Sequence, residues 1–146
     1  MYESQDLENT LILHEGVSKF AYTDTTGHIT VGVGRNISKT GQGLSTDEIM
    51  FLLKNDIDRV YRSICHYQWF ERCNEVRRDV LIELGFNIGV EGLLSFKDFL
   101  SALEVNNPGQ AVRALESSKW IHEVGESRSQ DILYRVQYGR YRTKPR

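Results

Sequence analysis

The sequence lacks several features that would place it in a special structural class. Its 146 residues include only two cysteines and no apolar run near the ~18 residues of a membrane span. Cys65 and Cys73 form no Cys-x-x-Cys pair, so we interpret them as free thiols of a chain made in a reducing cytoplasm. The four histidines are scattered, with no helical His-x-x-x-His pair. We therefore expect no stable membrane insertion, no metal site and no cofactor.

An excess of charge of one sign is also absent. Lys and Arg number 18 against 20 Asp and Glu, which gives a net charge of -2. No nucleic-acid motif accompanies the basic residues, so we expect no nucleic-acid partner. The N-terminal segment has no basic start, apolar core or small-residue cleavage site, so no secretory signal is predicted. We interpret the last part of the chain as a solvated, frayed terminus. Its positive charge lies at Arg128, Arg135, Arg140, Arg142, Lys144 and Arg146.

The most informative segment is HEGVSKFAYTDTTGHITVGVGR, residues 14–35. Apolar residues at positions 7, 11 and 12 predict a short helix, and Gly16 is expected to close it as a left-handed cap. Glu15 then lies in the last turn, where the negative end of the helix dipole favours a protonated carboxyl. Such a group is suited to act as a general acid.

After Gly16 the apolar period changes from helical to alternating. Phe20 and Tyr22 alternate, a turn follows from Asp24, and Ile29, Val31 and Val33 alternate again, which predicts a β-hairpin. If those three apolar residues face the core, Thr30 faces the other side, where Asp24 points. The glycines at 32 and 34 leave room for a bulky substrate or for a close backbone approach.

This segment therefore gathers two carboxylates and a hydroxyl. Cleavage of a glycosidic bond uses one carboxyl to protonate the leaving oxygen and a second to direct water or to attack. Glu15 and Asp24 supply the two carboxyls, and Thr30 supplies a hydroxyl that helps to hold water. The pattern predicts a sugar-cleaving enzyme.

The same residues resemble the catalytic region of the T-even phage type of lysozyme. That motif is Glu, eight residues, Asp, five residues, Thr, which Glu15, Asp24 and Thr30 fit without a gap; TVGVG at 30–34 also matches. STDEIMFLLKNDID at 45–58 resembles the start of the family's interlobe helix, and VRRDVLIELGFNIG at 76–89 its buried central helix. Ser118-Lys119-Trp120 and Arg128 resemble the pattern of its C-terminal lobe.

The resemblance implies an α+β, two-lobed lysozyme-like fold in a single domain, residues 1–146. A small catalytic lobe with a β-hairpin is expected at about 12–45 and a connecting helix at about 46–66. Ser45 and Glu48 predict a capping box at the start of that helix. A larger helical lobe is expected at about 67–146, packed with the N-terminal helix 1–11. Its further helices are expected at about 96–104, 108–118 and 128–138, the second with Pro108 in its first turn.

Further residues acquire expected roles from the resemblance. Phe86, Gly34 and Arg128 are expected to bind substrate, although Arg128 aligns only after one inserted residue. Arg35 stands where the family has a histidine, and Asp56 aligns with the aspartate that pairs with it. We therefore expect an Arg35–Asp56 pair that links the lobes; the alternative is two unrelated surface charges. Glu83 replaces the family's asparagine.

The function that follows is that of a muramidase. It would hydrolyse the β-1,4 bond between N-acetylmuramic acid and N-acetylglucosamine in peptidoglycan glycan strands, with inversion at the anomeric carbon. The resemblance implies a monomeric phage or prophage endolysin, held in the host cytoplasm until a holin releases it to the cell wall in the periplasm. Two alternatives remain: a lytic transglycosylase, which needs only one carboxylic acid and no water, and a non-catalytic peptidoglycan-binding module. Intact Asp24 and Thr30 argue against the first, and an intact acid argues against the second.

Overall fold

The computed structural model describes residues 1–142, so Lys144 and Arg146 of the basic run lie outside the described residues. The chain divides into two compact units, Met1–Leu52 and a second that begins at Leu53. Three short strands lie in the first unit, and helices dominate the second. In chain order the elements are α1 (Gln5–Glu15), β1 (Ser18–Thr23), β2 (Ile29–Gly32), β3 (Arg35–Asn36), α2 (Thr46–Ile64), α3 (Gln68–Glu71), α4 (Glu75–Leu94), α5 (Lys97–Glu104), α6 (Pro108–Glu116), α7 (Lys119–Glu123) and α8 (Glu126–Tyr138).

Both ends of α1 follow from the local sequence. The Ser4 hydroxyl accepts a hydrogen bond from the backbone N–H of Leu7, and the helix ends at Glu15 as predicted. Gly16 has a φ of 75° but a ψ of 175°, so the expected left-handed helical cap is wrong in its ψ angle. The reason is that the chain passes almost directly into β1, which requires extended backbone at this point.

The three strands form one antiparallel sheet in the order β1-β2-β3. The predicted hairpin is present, and β3 adds a strand that the alternating pattern did not reveal. Thr30 of the central strand pairs with Tyr22 on one side and Asn36 on the other.

The expected orientation of β2 is wrong. Thr30 is 3% exposed, whereas Ile29 is 49% and Val33 is 41% exposed. Strand neighbours cover Thr30 on both sides, and Val33 lies in the turn between β2 and β3 rather than in a strand. The apolar alternation in this short sheet therefore does not mark its buried face.

Helix α2 begins with the predicted capping box. Ser45 Oγ accepts from the Glu48 N–H at 3.2 Å, and Glu48 Oε1 accepts from the Ser45 N–H at 2.9 Å. The division between the two units falls inside this helix, after Leu52. The predicted boundaries of the lobes, and the packing of residues 1–11 with the helical lobe, stay predictions.

The second unit contains the hydrophobic core. The predicted central helix α4 supplies Val80, Leu81, Leu84 and Leu93 to it. Gly89 interrupts this helix with φ 81° and ψ 158°, which the nearly continuous apolar run did not predict. At Gly85 an added Cβ would lie 2.6 Å from Val60 Cγ1, so the absence of a side chain lets α4 approach α2 closely.

Hydrogen bonds in the second unit connect the start of α4 with the end of α8. Pro108 opens α6 in its first turn, as predicted, and Asn107 caps it. Helix α8 ends at Tyr138, and Gly139 caps it in the left-handed conformation. The guanidinium of Arg77, near the start of α4, donates to the carbonyl oxygens of Val136 at 2.7 Å and Gln137 at 3.1 Å.

Candidate active site

Glu15 is exposed at the end of α1, and its carboxyl lies against Gly34. A Cβ added at Gly34 would be 3.1 Å from Glu15 Oε2 and 3.4 Å from its carboxyl carbon. Gly34 also has a φ of +70°, which side-chain-bearing residues rarely adopt. The close backbone approach that the glycine pattern suggested is therefore an approach to Glu15.

Asp24 is held by donors from its own turn. Its Oδ1 accepts from the Thr26 N–H at 2.9 Å, the Thr26 hydroxyl at 2.8 Å and the His28 N–H at 2.9 Å. The hydrogen bond from the His28 N–H, followed by the one from the Thr26 hydroxyl, lowers the pKa of Asp24 below its ordinary value. The side chain is thus a carboxylate near neutral pH.

The side chains of Thr30 and Asp24 both form hydrogen bonds with the backbone of His28. The buried Thr30 hydroxyl donates to the backbone carbonyl of His28 at 3.0 Å, while the N–H of His28 donates to Asp24. The hydroxyl proton of Thr30 is therefore already used, and only its oxygen lone pairs remain to accept from water. The predicted role in holding water stays a prediction.

Within the first unit, Arg35 is paired with Glu48. Arg35 Nη1 lies 2.7 Å from Glu48 Oε2 and donates to the carbonyl oxygen of Gly43 at 3.1 Å. Asp56 Oδ1 lies 3.4 Å from Arg59 Nη1, one turn away on the same helix. Glu48 is suited to Arg35 because the capping box already fixes its carboxylate in the first turn of α2. The predicted Arg35–Asp56 pair would join a residue of the first unit to one of the second, and it stays a prediction.

The hydrogen bond from Arg35 has a large effect on the pKa of Glu48. Together with the hydrogen bonds from Ser45, it lowers that pKa to about 2. The same pairing raises the pKa of Arg35 above its ordinary value. The pair is therefore fully charged across the physiological range.

In the second unit, Phe86 borders two grooves. The side chain is 49% exposed. One groove has a volume of about 400 Å³ and is also lined by Leu53, Ile57, Asp79, Ile82, Glu83 and Tyr141. The other is about 360 Å³, with Asp56, Arg59, Val60, Ser63, Gly85, Gly89 and Val90 along its walls. Phe86 is thus available to a ligand, and its predicted contact with sugar stays a prediction.

Arg128 belongs to a network that sequence reasoning did not find. Its Nε lies 3.3 Å from Glu83 Oε2, and Glu83 Oε1 accepts from Arg135 at 2.8 Å. Arg135 is 3% exposed and also pairs with Asp131 at 2.8 Å. Burial alone would lower the pKa of Arg135, but the hydrogen bond and charge of Glu83, with Asp131, outweigh it and raise that pKa.

The part of the basic run within residues 1–142 is therefore not simply a frayed end. Arg135 is buried, the guanidinium of Arg140 lies 5.9 Å from the centre of the Tyr138 ring, and that of Arg142 lies 5.8 Å from the Tyr134 ring. Of these contacts, the sequence could have indicated the Asp131–Arg135 pair, because residues four apart in a helix lie side by side.

The remaining sequence expectations concern cysteine, metal and membrane. Cys65 and Cys73 are both unpaired, and Cys73 is buried, which raises the pKa of its thiol. Among residues 1–142, no His, Cys, Asp and Glu side chains cluster in a way that could hold a metal ion. Across the same described residues, no helix combines the length and apolarity needed to cross a bilayer.

Comparison with known proteins gives two results. Residues 13–137 match the sequence profile of the phage lysozyme family. The chain is also similar to a protein of Dictyostelium discoideum described as probable T4-type lysozyme 1, at 22% identity over 161 aligned residues. That alignment covers 91% of this chain and 94% of the Dictyostelium protein. The profile match runs from the last turn of α1 nearly to the end of α8, so it includes every candidate site residue.

Proposed function

Because this chain belongs to the phage lysozyme family, we propose that it is a muramidase that hydrolyses the β-1,4 bond between N-acetylmuramic acid and N-acetylglucosamine in peptidoglycan. The observation that carries the proposal is the carboxylate of Asp24, held by three hydrogen bonds in the same unit as Glu15. Hydrolysis of a glycosidic bond needs two carboxyl groups in different roles. The two side chains have clearly different surroundings, which suits them to different roles.

In this mechanism Glu15 is the general acid. It donates its proton to the glycosidic oxygen as the bond to the anomeric carbon breaks, so the leaving sugar departs as an alcohol. The position of the Glu15 carboxyl beside Gly34 supports this role. Because Gly34 has no side chain, the carboxyl stays exposed next to the turn.

Asp24 orients the attacking water, accepts its proton as the new bond to the anomeric carbon forms, and stabilises the positive charge that develops on the sugar ring. Its lowered pKa keeps it ionised while Glu15 gives up a proton. Water attacks the anomeric carbon from the face opposite the leaving group, which inverts the configuration. Thr30, whose oxygen can still accept a hydrogen bond, assists in holding that water.

Other residues are proposed to bind the glycan rather than to react with it. Phe86 offers an exposed ring for the apolar face of a sugar. Arg128 offers a guanidinium, held at one edge by Glu83, for carboxylate groups of the wall polymer. Gly34 contributes by leaving space beside the acid.

The biological setting that fits this activity is lysis of a bacterial host by a phage or prophage. The enzyme would act as a monomeric endolysin, remain in the host cytoplasm until a holin releases it, and then degrade the wall from the periplasm. No cofactor is required for the proposed chemistry. Lysis of cells only after co-expression of a holin would support this part of the proposal.

Mass spectrometry of the soluble products from purified peptidoglycan tests the reaction itself. A muramidase gives products with reducing muramic acid ends. A lytic transglycosylase gives 1,6-anhydro ends, and a non-catalytic binding module gives no products. The second or third result would overturn the proposal, and incorporation of ¹⁸O from labelled water at the reducing end would support the hydrolytic step.

A further inference from the structure

The turn after β1 contains a hydrogen-bond chain for which the motif assigns no role. Thr26 Oγ1 lies 2.8 Å from Asp24 Oδ1 and 2.7 Å from His28 Nδ1. The imidazole Nδ1 is also 3.9 Å from Asp24 Oδ2. These three side chains, all within residues 24–28, form a continuous path from an imidazole to the carboxylate of Asp24.

The direction of the hydrogen bonds in this chain follows from counting protons. An ionised carboxylate has no proton and only accepts, so the single hydroxyl proton of Thr26 must point to Asp24. Nδ1 of His28 cannot then accept that proton, and it must carry one of its own and donate to the Thr26 oxygen. The chain therefore runs from His28 to Thr26 to Asp24, and it fixes the Nδ1–H form of the imidazole.

We propose that Thr26, supported by His28, is a positioning residue that selects the working oxygen of Asp24. This inference rests on the proposed function. Oδ1 accepts three hydrogen bonds, whereas Oδ2 accepts none from the residues that the structure describes. Oδ2 is then the oxygen left to orient water, and the chain holds it in one direction. A carboxylate that could rotate would present either oxygen and would order the water less well.

The Thr26 hydroxyl is not needed to build the turn itself. The N–H groups of Thr26 and His28 already bond Asp24 Oδ1, and the N–H of Asp24 bonds the carbonyl of His28 at 2.9 Å. Replacement of Thr26 by valine keeps the shape of the side chain and all three backbone bonds. It removes only the hydroxyl bridge, which makes the role testable.

The first test compares Thr26→Val with Thr26→Ser on soluble glycan chains. We expect Thr26→Val to lower kcat by roughly fivefold, the size of one lost hydrogen bond, with KM within about twofold of wild type. Thr26→Ser restores the hydroxyl and should keep wild-type kcat. Thr25→Val is the matched control, because Thr25 is the exposed neighbour in the same turn. Equal kcat values for Thr26→Val and Thr25→Val would overturn the proposal.

The second test does not depend on activity. Nitrogen-15 NMR of the histidine rings at about pH 9, where imidazole is neutral, distinguishes the Nδ1–H and Nε2–H forms. We expect His28, assigned by loss of its signals in His28→Gln, to carry its proton on Nδ1 in the wild type and to change form in Thr26→Val. An Nε2–H form in the wild type would refute the hydrogen-bond chain from His28 through Thr26 to Asp24. A wild type that releases no products would instead overturn the proposed function, and the positioning role with it.

Discussion

Glu15 and Gly34 are packed so closely that a methyl group on Gly34 would come within 3.1 Å of the carboxyl oxygen. Gly34→Ala should therefore displace the acid by a few tenths of an ångström and lower kcat by roughly three- to tenfold, since a 1 Å misplacement can cost about 10²-fold. Gly32→Ala is the matched control, because Gly32 has nearly the same φ, +69°, but nothing near its missing Cβ. Both should lose similar stability in thermal melts, and equal kcat values would argue against a contact effect.

Replacement of the acid itself tests its role directly. Glu15→Gln keeps the shape of the side chain but cannot donate a carboxylic proton, so activity should fall by at least ~10²-fold. Glu8→Gln removes an exposed carboxylate from the same helix and should leave activity unchanged. Turnover of purified peptidoglycan by Glu15→Gln within a few-fold of wild type would remove Glu15 from the mechanism.

Asp24 should need its charge and not merely its hydrogen bonds. In Asp24→Asn the amide oxygen can still accept from the N–H groups of Thr26 and His28, and asparagine suits such a turn. We expect most activity to be lost while the circular dichroism spectrum and the melting temperature change little. An active Asp24→Asn enzyme would show that another group directs the water.

The partner of Arg35 can be determined by two double-mutant cycles of thermal stability. Arg35→Met combined with Glu48→Gln should give a coupling energy, because these side chains are in contact. Arg35→Met combined with Asp56→Asn tests the lobe-linking pair expected from the sequence, for which a positive coupling energy is predicted. Additive changes in either cycle would contradict the corresponding pair.

The stability of the protein should depend on the charge of Glu48 in acid. Its pKa is lowered from 4.5 to about 2 in the folded chain, so the pairing stabilises the fold above about pH 4.5. This contribution is lost as the pH falls toward 2, because the folded state must then take up the proton. Denaturant titrations should show a gap between wild type and Glu48→Gln that closes over this range. A gap that stayed constant would mean that ionisation of Glu48 is not linked to folding.

Local sequence signals predicted those parts of the fold that are determined within a few residues. The reciprocal bonds of Ser45 and Glu48 fix the start of α2, and Pro108 fixes the start of α6. The spacing of Glu15 and Asp24 likewise identified residues on neighbouring elements of one unit. In each of these cases the necessary groups are close together in the sequence.

Features that depend on distant residues were not predictable in the same way. Helix α3 is only four residues long, and its Trp69 and Phe70 are buried in the core, so packing rather than intrinsic preference stabilises it. The partners of Glu83 lie 45 and 52 residues away along the chain. The burial of Thr30 depends on strands at both sides of β2, one of which the sequence pattern did not reveal.

The hydrogen bonds from Arg77 to Val136 and Gln137 span 59 and 60 residues, and they bear on the order of folding. The carbonyls at the end of α8 obtain these donors only after that segment has been synthesised. During translation, the second unit therefore cannot complete its packing until residues 136–139 have left the ribosome. Contacts between such distant parts of a chain slow folding, because a long loop must close before they form. We therefore expect the second unit to reach its final packing after the local structure of residues 1–52 can already form.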